Sequence, residues 1–155
     1  MSGTTFGIII PARYASTRFP GKPLQDLGGK TMIERVVEAA KLANPHAGVA
    51  VATDDVRIAE HIQSKCEVVM TSESHPSGTD RCAEALGKLG WDCDVVVNLQ
   101  GDEPFIKPEQ VARCGLRWYK CRTLYAYDMD AKAVVADQEQ RRAMVTMAYV
   151  VSGRL

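Results

Sequence analysis

The chain has no surplus of either charge, because 19 basic and 19 acidic residues among its 155 give a net charge of zero. A broad surface for nucleic acid or for an anionic membrane is therefore not expected. No apolar run approaches the length that spans a bilayer, and the N-terminus lacks the basic leader and long apolar region of a secretion signal. These absences predict a cytoplasmic globular protein without nucleic acid or membrane partners.

The cysteines lack the spacing of a disulfide framework or a zinc site. There are five of them, an odd number, and none belongs to a CxxC pair. Reduced thiols in a cytosolic protein are the expected state of Cys66, Cys82, Cys93, Cys114 and Cys121.

Two common nucleotide-binding motifs are also missing. No GxGxxG follows any predicted strand, which argues against a nicotinamide or flavin site. The segment GGKT at 28–31 resembles the end of a P-loop, but Leu24 stands where that motif needs its first glycine. The segment also does not directly follow a strand. We therefore reject a P-loop NTPase.

Over the first 110 residues, short β-rich runs alternate with helical patterns. The predicted strands are FGIII at 6–10, GVAVAT at 48–53, EVVM at 67–70 and DVVVNL at 94–99. This alternation predicts right-handed βαβ units and an α/β fold, in which a mainly parallel sheet is flanked by helices.

Capping residues predict where the intervening helices begin. Thr31 and Glu34 form a capping box before the first, either Thr53 or Asp54 can cap the second, and Thr79 begins the third. In open parallel sheets, ligands bind beyond the C-terminal ends of the strands. The loops expected to hold the site are 11–23, 53–55, 71–79 and 100–104.

The first of these loops, PARYASTRFPGKP, carries Arg13, Arg18 and Lys22 and no acid. Guanidinium forks and a compact ammonium group suit a polyphosphate, and three prolines stiffen the loop, which lowers the entropy lost on binding. A solvated surface loop is the alternative, and charge alone favours it. The position at the end of the first strand favours a binding site.

An acidic pair follows the fourth strand, in VNLQGDEP. Asp102 lies at the sheet edge opposite the three cations and is a candidate Mg²⁺ ligand, because Mg²⁺ takes one or two carboxylates and completes its shell with phosphate and water. A solvated turn is the alternative. In HPSGTDR, Arg81 on the first turn of a helix is expected to face the ligand, whereas His75 is given no catalytic role.

Together, IIIPARYASTRFPGKPLQDLGGKTMIERV, VATDD, HPSGTDR and VVNLQGDEP resemble the 3-deoxy-manno-octulosonate cytidylyltransferases, or CMP-KDO synthetases. Thr31 departs from the proline usual in that family. The resemblance implies a Rossmann-like nucleotide-diphospho-sugar transferase fold. It also implies Mg²⁺-dependent transfer of CMP from CTP to KDO, with diphosphate as the second product, for lipopolysaccharide synthesis.

The resemblance also implies roles for individual residues. Arg13, Arg18 and Lys22 would hold the triphosphate, Asp102 would bind Mg²⁺, and Arg13, Lys22 and Asp102 would take part in catalysis. The residues that would surround the cytosine and ribose are Pro11, Ala12, Gly78, Arg81 and Gln100.

The resemblance covers about residues 6–110 and predicts a CTP-binding half-domain at 1–110 followed by an unmatched tail at 111–155. In the family, the second half supplies a homodimer contact, most contacts to the sugar acid and a second metal-binding acid. The expectation is that this half is missing or divergent here, either in a truncated or frame-shifted product or in a divergent short paralogue.

Two other functions stay open beside the KDO cytidylyltransferase. A CMP-sialate-type nucleotidyltransferase would share the fold and the triphosphate loop, but HPSGTDR and LQGDEP favour the KDO enzyme. A non-catalytic, truncated nucleotide-binding fragment would explain the unmatched tail.

Overall fold

Residues 5–117, 125–128 and 147–150 are described by the computed structural model. They form a six-stranded sheet with the order β3-β2-β1-β4-β6-β5. The strands are β1 (Phe6–Ala12), β2 (Gly48–Thr53), β3 (Glu67–Met70), β4 (Val95–Asn98), β5 (Tyr125–Asp128) and β6 (Met147–Val150).

The four predicted strands are present and pair in parallel, with β1 between β2 and β4. β6 pairs antiparallel with β4, and β5 pairs parallel with β6. The predicted α/β fold with a mainly parallel sheet is therefore confirmed. The segment at 132–151, whose sequence allows a helix, a helix followed by a strand, or neither, lies outside the described residues except for β6.

In the part of the chain that the structure describes, four α-helices accompany the strands: α1 (Met32–Leu42), α2 (Val56–Ile62), α3 (Gly78–Leu89) and α4 (Pro108–Arg117). Among the described residues, none of the helices has both the length and the apolar character needed to cross a membrane.

Both faces of β1 are buried, and successive side chains along this strand point to opposite faces of the sheet. Ile8 and Ile10 pack in one cluster with apolar residues of α1, α2 and α4, and Ile9 packs in a second cluster with Cys82 and Leu86 of α3. Parallel sheets are typically covered in this way on both faces. The helices thereby leave the C-terminal edge of the strands as the open part of the fold.

The capping box predicted for α1 is confirmed. The Thr31 hydroxyl accepts a hydrogen bond from Glu34 N at 3.4 Å, and Glu34 Oε2 accepts one from Thr31 N at 2.7 Å. Two backbone donors at the start of the helix are thus satisfied. Threonine is therefore a suitable residue at this position, where the resembled family usually has proline.

The caps predicted for α2 and α3 are wrong. The observed cap of α2 follows the nearer of its two candidates by one residue, and the observed cap of α3 precedes its candidate by two. β2 extends through Thr53, so Asp55 caps α2 instead of Thr53 or Asp54, and its Oδ1 accepts from Arg57 N at 2.9 Å. Ser77 caps α3 instead of Thr79, because its hydroxyl reaches the backbone N–H three residues later, on Asp80, at 3.2 Å.

Replacing Glu34 by glutamine is expected to lower the melting temperature at neutral pH and to have less effect in acid. The hydrogen bond from the Thr31 backbone, with help from Lys65, lowers the pKa of Glu34 from 4.5 to about 2. Since the folded pKa is the lower one, this stabilisation is complete above pH 4.5 and is lost as the pH falls towards about 2. Thermal unfolding of the wild type and of Glu34→Gln from about pH 2 to neutral pH measures this loss. A difference in melting temperature that stays constant with pH would contradict the prediction.

Candidate functional site

A pocket of about 600 Å³ opens where β1 and β4 end. Three of the four predicted loops contribute to its wall, and the loop at 53–55 does not. Every residue that the sequence assigned to the site lies in this wall: Pro11, Ala12, Arg13, Arg18, Lys22, Gly78, Arg81, Gln100 and Asp102.

The three cations reach the pocket on one loop, residues 13–22, which we call the cation loop. It turns back on itself because Gly21 adopts the left-handed conformation, with φ of 72°, and donates a hydrogen bond to the Tyr14 carbonyl at 2.9 Å. Within the described part of the chain, Arg13 and Arg18 have no carboxylate partner within 4.0 Å. Their guanidinium groups are therefore available to an anion.

Lys22 and Asp102 join the cation loop to the loop after β4. Lys22 Nζ lies 3.2 Å from Asp102 Oδ2, and the side chains are 43% and 55% exposed. An ion pair this exposed stabilises a protein by only about 0–1 kcal/mol. Each partner can therefore exchange the other for a ligand, phosphate for Lys22 and a cation for Asp102, at little cost.

Asp102 is the carboxylate that suits a metal in this wall. The described residues contain no group of three or more histidine, cysteine, aspartate or glutamate side chains placed to hold an ion. A dedicated protein cage is therefore absent from that part of the chain. A single exposed carboxylate beside three cations fits Mg²⁺, which commonly binds one or two carboxylates and takes its other ligands from phosphate and water.

Two glycines let the neighbouring loops approach the end of β1. A Cβ on Gly101 would lie 3.0 Å from the Pro11 carbonyl oxygen. One on Gly78 would lie 3.1 Å from Pro11 Cγ and 3.6 Å from Gln100 Oε1. The wall that was predicted to face the base is thus built by close backbone approach, and any larger residue at Gly78 would narrow it.

Arg81 lines the pocket, but its guanidinium is already bound by protein groups. The residue is 3% exposed, and it donates to Asp54 Oδ2 at 2.8 Å and to Thr71 Oγ1 at 2.5 Å. This pairing ties α3 to the loops after β2 and β3. Asp54 was predicted only as a possible helix cap and not as the partner of Arg81, although VATDD places this acid at the same sheet edge.

His75 lines the pocket and pairs with Glu84 of α3 through Nε2. Glu84 also binds Lys88 Nζ at 2.7 Å and accepts from Ser72 N at 3.1 Å. Hydrogen bonds from Lys88 and then His75 lower the pKa of Glu84 to about 2. His75 therefore fastens the loop to α3.

Among the described residues after Gln110, the acid is Asp128, and its backbone position is far along the sheet from the end of β4 that leads to Asp102. Asp128, at the end of β5, is in register with Val150 and through it with Val95, where β4 begins. Asp102 instead follows the other end of β4. Asp130 and Asp137 lie outside the described residues.

The cysteines of the described core are poor nucleophiles. Cys66, Cys82 and Cys93 are free thiols, and burial raises the pKa of all three, that of Cys66 to about 11. Because the thiolate is the reactive form, none of the three is suited to covalent catalysis at neutral pH.

Three comparisons relate the chain to known proteins. A family model described as cytidylyltransferase matches residues 7–146, and so continues past Gln110. The 3-deoxy-manno-octulosonate cytidylyltransferase of Parabacteroides distasonis is 61% identical over 104 residues, which are 66% of this chain and 41% of that protein. The 3-deoxy-manno-octulosonate cytidylyltransferase 2 of Paraburkholderia phytofirmans is 46% identical over 130 residues, 82% of this chain and 48% of that protein.

Among solved structures, CMP:2-keto-3-deoxy-manno-octonic acid synthetase in complex with CTP is similar in fold and sequence. The TM-score is 0.71 at 42% identity, over 81% of this chain and 52% of that one. The chain therefore spans about half the length of the curated relatives and of the solved structure that it matches.

Proposed function

The chain belongs to the cytidylyltransferase family, and from this membership we propose that it transfers CMP from CTP to 3-deoxy-manno-octulosonate, releasing diphosphate. One observation carries the proposal: Arg13, Arg18 and Lys22 share a pocket with the carboxylate of Asp102. This arrangement suits a triphosphate with a divalent cation. The names of the relatives support CTP and KDO as the substrates.

The cation loop would act on the phosphate groups. The anomeric hydroxyl oxygen of KDO attacks the α-phosphorus of CTP and forms a new phosphorus–oxygen bond while its proton passes to solvent water. The bond to the bridging oxygen breaks, and diphosphate leaves with that bond's electron pair. Arg13, Arg18 and Lys22 stabilise the charge that grows on the leaving group. Catalysis by these residues consists of positioning and charge neutralisation.

Asp102 would hold Mg²⁺ at the phosphates, once freed from Lys22. Bound there, the ion would polarise phosphoryl oxygens and neutralise charge. Release of Asp102 also frees Lys22 to bind phosphate, so the two changes reinforce each other.

The other side of the pocket would receive the nucleoside. Pro11, Ala12, Gly78 and Gln100 line this side and offer backbone groups and a carboxamide. Gln100 is oriented by a hydrogen bond from its Nε2 to Asn98 Oδ1 at 3.0 Å. Arg81 would contribute to the base site mainly by holding the wall, because Asp54 and Thr71 bind its guanidinium.

A nucleotide-binding fragment without catalysis is the second candidate. The chain spans about half the length of its relatives, and Asp128 lies at the sheet edge away from Asp102. A second metal-binding acid is therefore not supplied by β5. A CMP-sialate-type activity is the alternative within enzymes.

Release of diphosphate from CTP, measured with Mg²⁺ and KDO, tests the enzyme proposal. Reactions without KDO, and with sialic acid in its place, are the matched controls. Release that depends on KDO is the expected result. If no diphosphate is released with KDO but CTP raises the melting temperature, the result would instead favour the nucleotide-binding fragment.

We further propose a homodimer, a cytoplasmic location, and a functional division of the chain near residue 110. The first and third come from the family resemblance, and the second comes from the cysteine pattern. Sedimentation velocity measures the first. Titration of CTP against the full chain and against residues 1–117 tests the third, since the described pocket wall lies wholly before residue 110 and a cut after Arg117 keeps α4 whole.

A further inference from the structure

Tyr14 and Gly21 lie near the two ends of the cation loop and bring these ends together. We call this pair of residues the neck of the loop. Besides the hydrogen bond between their backbones, the two residues are packed together, and a Cβ on Gly21 would lie 3.0 Å from the Tyr14 ring. Arg13 directly precedes Tyr14, Lys22 directly follows Gly21, and Arg18 lies between them. The geometry of this neck therefore sets the relative positions of all three cations.

Arg57 of α2 lies over the ring of Tyr14. Its guanidinium carbon is 3.3 Å from the ring centroid, within the range of a cation–π interaction. Tyr14 is half-buried and also packs against the main core cluster. The neck is thus held from outside by a residue that follows β2, and neither Tyr14 nor Arg57 lines the pocket.

Asp55 fixes the guanidinium of Arg57 in place. Arg57 Nε donates to Asp55 Oδ1 at 2.9 Å, and its terminal nitrogen donates to Oδ2 at 2.7 Å. Asp55 is itself held as the cap of α2, and its side chain is 18% exposed. Because a two-point contact fixes the guanidinium plane, Arg57 is oriented independently of Tyr14. The hydrogen bonds from Arg57 also hold the pKa of Asp55 below its usual value.

We propose that Arg57 is a positioning residue for the triphosphate: it holds Tyr14, and through Tyr14 it holds the cation loop in its binding geometry. This inference rests on the proposed binding of CTP in the pocket. A loop that is ordered beforehand loses less conformational freedom when its ligand binds. Arg57 therefore raises affinity without touching the nucleotide.

The first test measures hydrogen exchange of the Gly21 amide in the protein without nucleotide. Arg57→Gln is expected to speed this exchange about two- to fivefold, the size expected for an exposed cation–π contact. Arg57→Lys keeps a cation and should lie between this variant and the wild type. Lys41→Gln, which removes an exposed charge from the last turn of α1, should leave the exchange unchanged. Unaltered Gly21 exchange in Arg57→Gln would overturn the proposal.

A double-mutant cycle separates the ring contact from the charge. Tyr14→Leu removes the ring, so adding Arg57→Gln to it should change Gly21 exchange no further. Tyr14→Phe keeps the ring and should preserve the effect of Arg57→Gln. If Arg57→Gln speeds Gly21 exchange equally in the wild type and in Tyr14→Leu, the contact between Arg57 and the Tyr14 ring does not order the loop.

The second test measures the affinity for CTP by calorimetry in the presence of Mg²⁺. Arg57→Gln should raise the dissociation constant for CTP about two- to fivefold. Arg57→Lys keeps a cation, so its dissociation constant should lie between those of Arg57→Gln and the wild type. Faster Gly21 exchange with unchanged affinity would overturn the positioning role. A wild-type chain that does not bind CTP would refute the proposed function and this role together, while Gly21 exchange would still decide whether Arg57 orders the loop.

Discussion

The double variant Arg13→Ala, Lys22→Ala is expected to bind CTP about 100-fold more weakly than the wild type, or worse. Each residue would donate charged hydrogen bonds to phosphate, and such bonds contribute about 1.5–3 kcal/mol each. Two of them give about 3–6 kcal/mol, and every 1.4 kcal/mol changes the dissociation constant about tenfold. Isothermal titration with Mg²⁺ and CTP measures the effect.

The matched control for this variant is Lys41→Ala, Lys107→Ala. Both lysines are exposed and neither lines the pocket, so the control removes the same net charge from elsewhere. Its affinity for CTP should change less than about threefold, because exposed charges that do not contact the ligand are weakened by solvent and salt. Equal affinity of the Arg13→Ala, Lys22→Ala variant and the wild type would show that the cation loop does not hold the nucleotide.

The parallel part of the fold could be predicted because its signals are local. β2 and β3 have the predicted bounds, and β1 begins where predicted, since each is a compact apolar run. Positions of caps were less accurate because Ser, Thr and Asp crowd the starts of α2 and α3. Which of them caps the helix depends on where the preceding strand or loop ends.

The loops that form the pocket were also predictable, because parallel strands end at one edge of the sheet. The pairs that connect those loops were not. Arg81 binds Asp54 over a separation of 27 residues. Arg57, at the start of α2, contacts Tyr14 in the loop after β1. Such contacts depend on side-chain directions after folding, which the order of residues does not reveal. A residue expected to face the ligand can therefore be bound by a neighbouring loop.

Arg81→Met is expected to lower the free energy of unfolding by about 3 kcal/mol or more. Arg81 is 3% exposed and the Asp54 side chain is 15% exposed, so removing the cation leaves a largely buried carboxylate without its partner. Breaking one side of a buried ion pair typically costs about 3–5 kcal/mol. Urea denaturation of the full chain measures the loss. Lys30→Met is the control, since its ion pair with Glu38 is exposed and should contribute no more than about 1 kcal/mol.

The variant Arg81→Met, Asp54→Leu distinguishes a structural ion pair from a ligand contact. If the pair mainly joins the loops, removing both charges should restore part of the stability lost in Arg81→Met, because no unpaired charge stays buried. Affinity for CTP should then recover in parallel with stability. If Arg81 mainly contacts the nucleotide, Arg81→Met should fold almost as stably as the wild type yet bind CTP poorly, and Asp54→Leu should not repair it. The nearly complete burial of the guanidinium between Asp54 and Thr71 favours the first outcome.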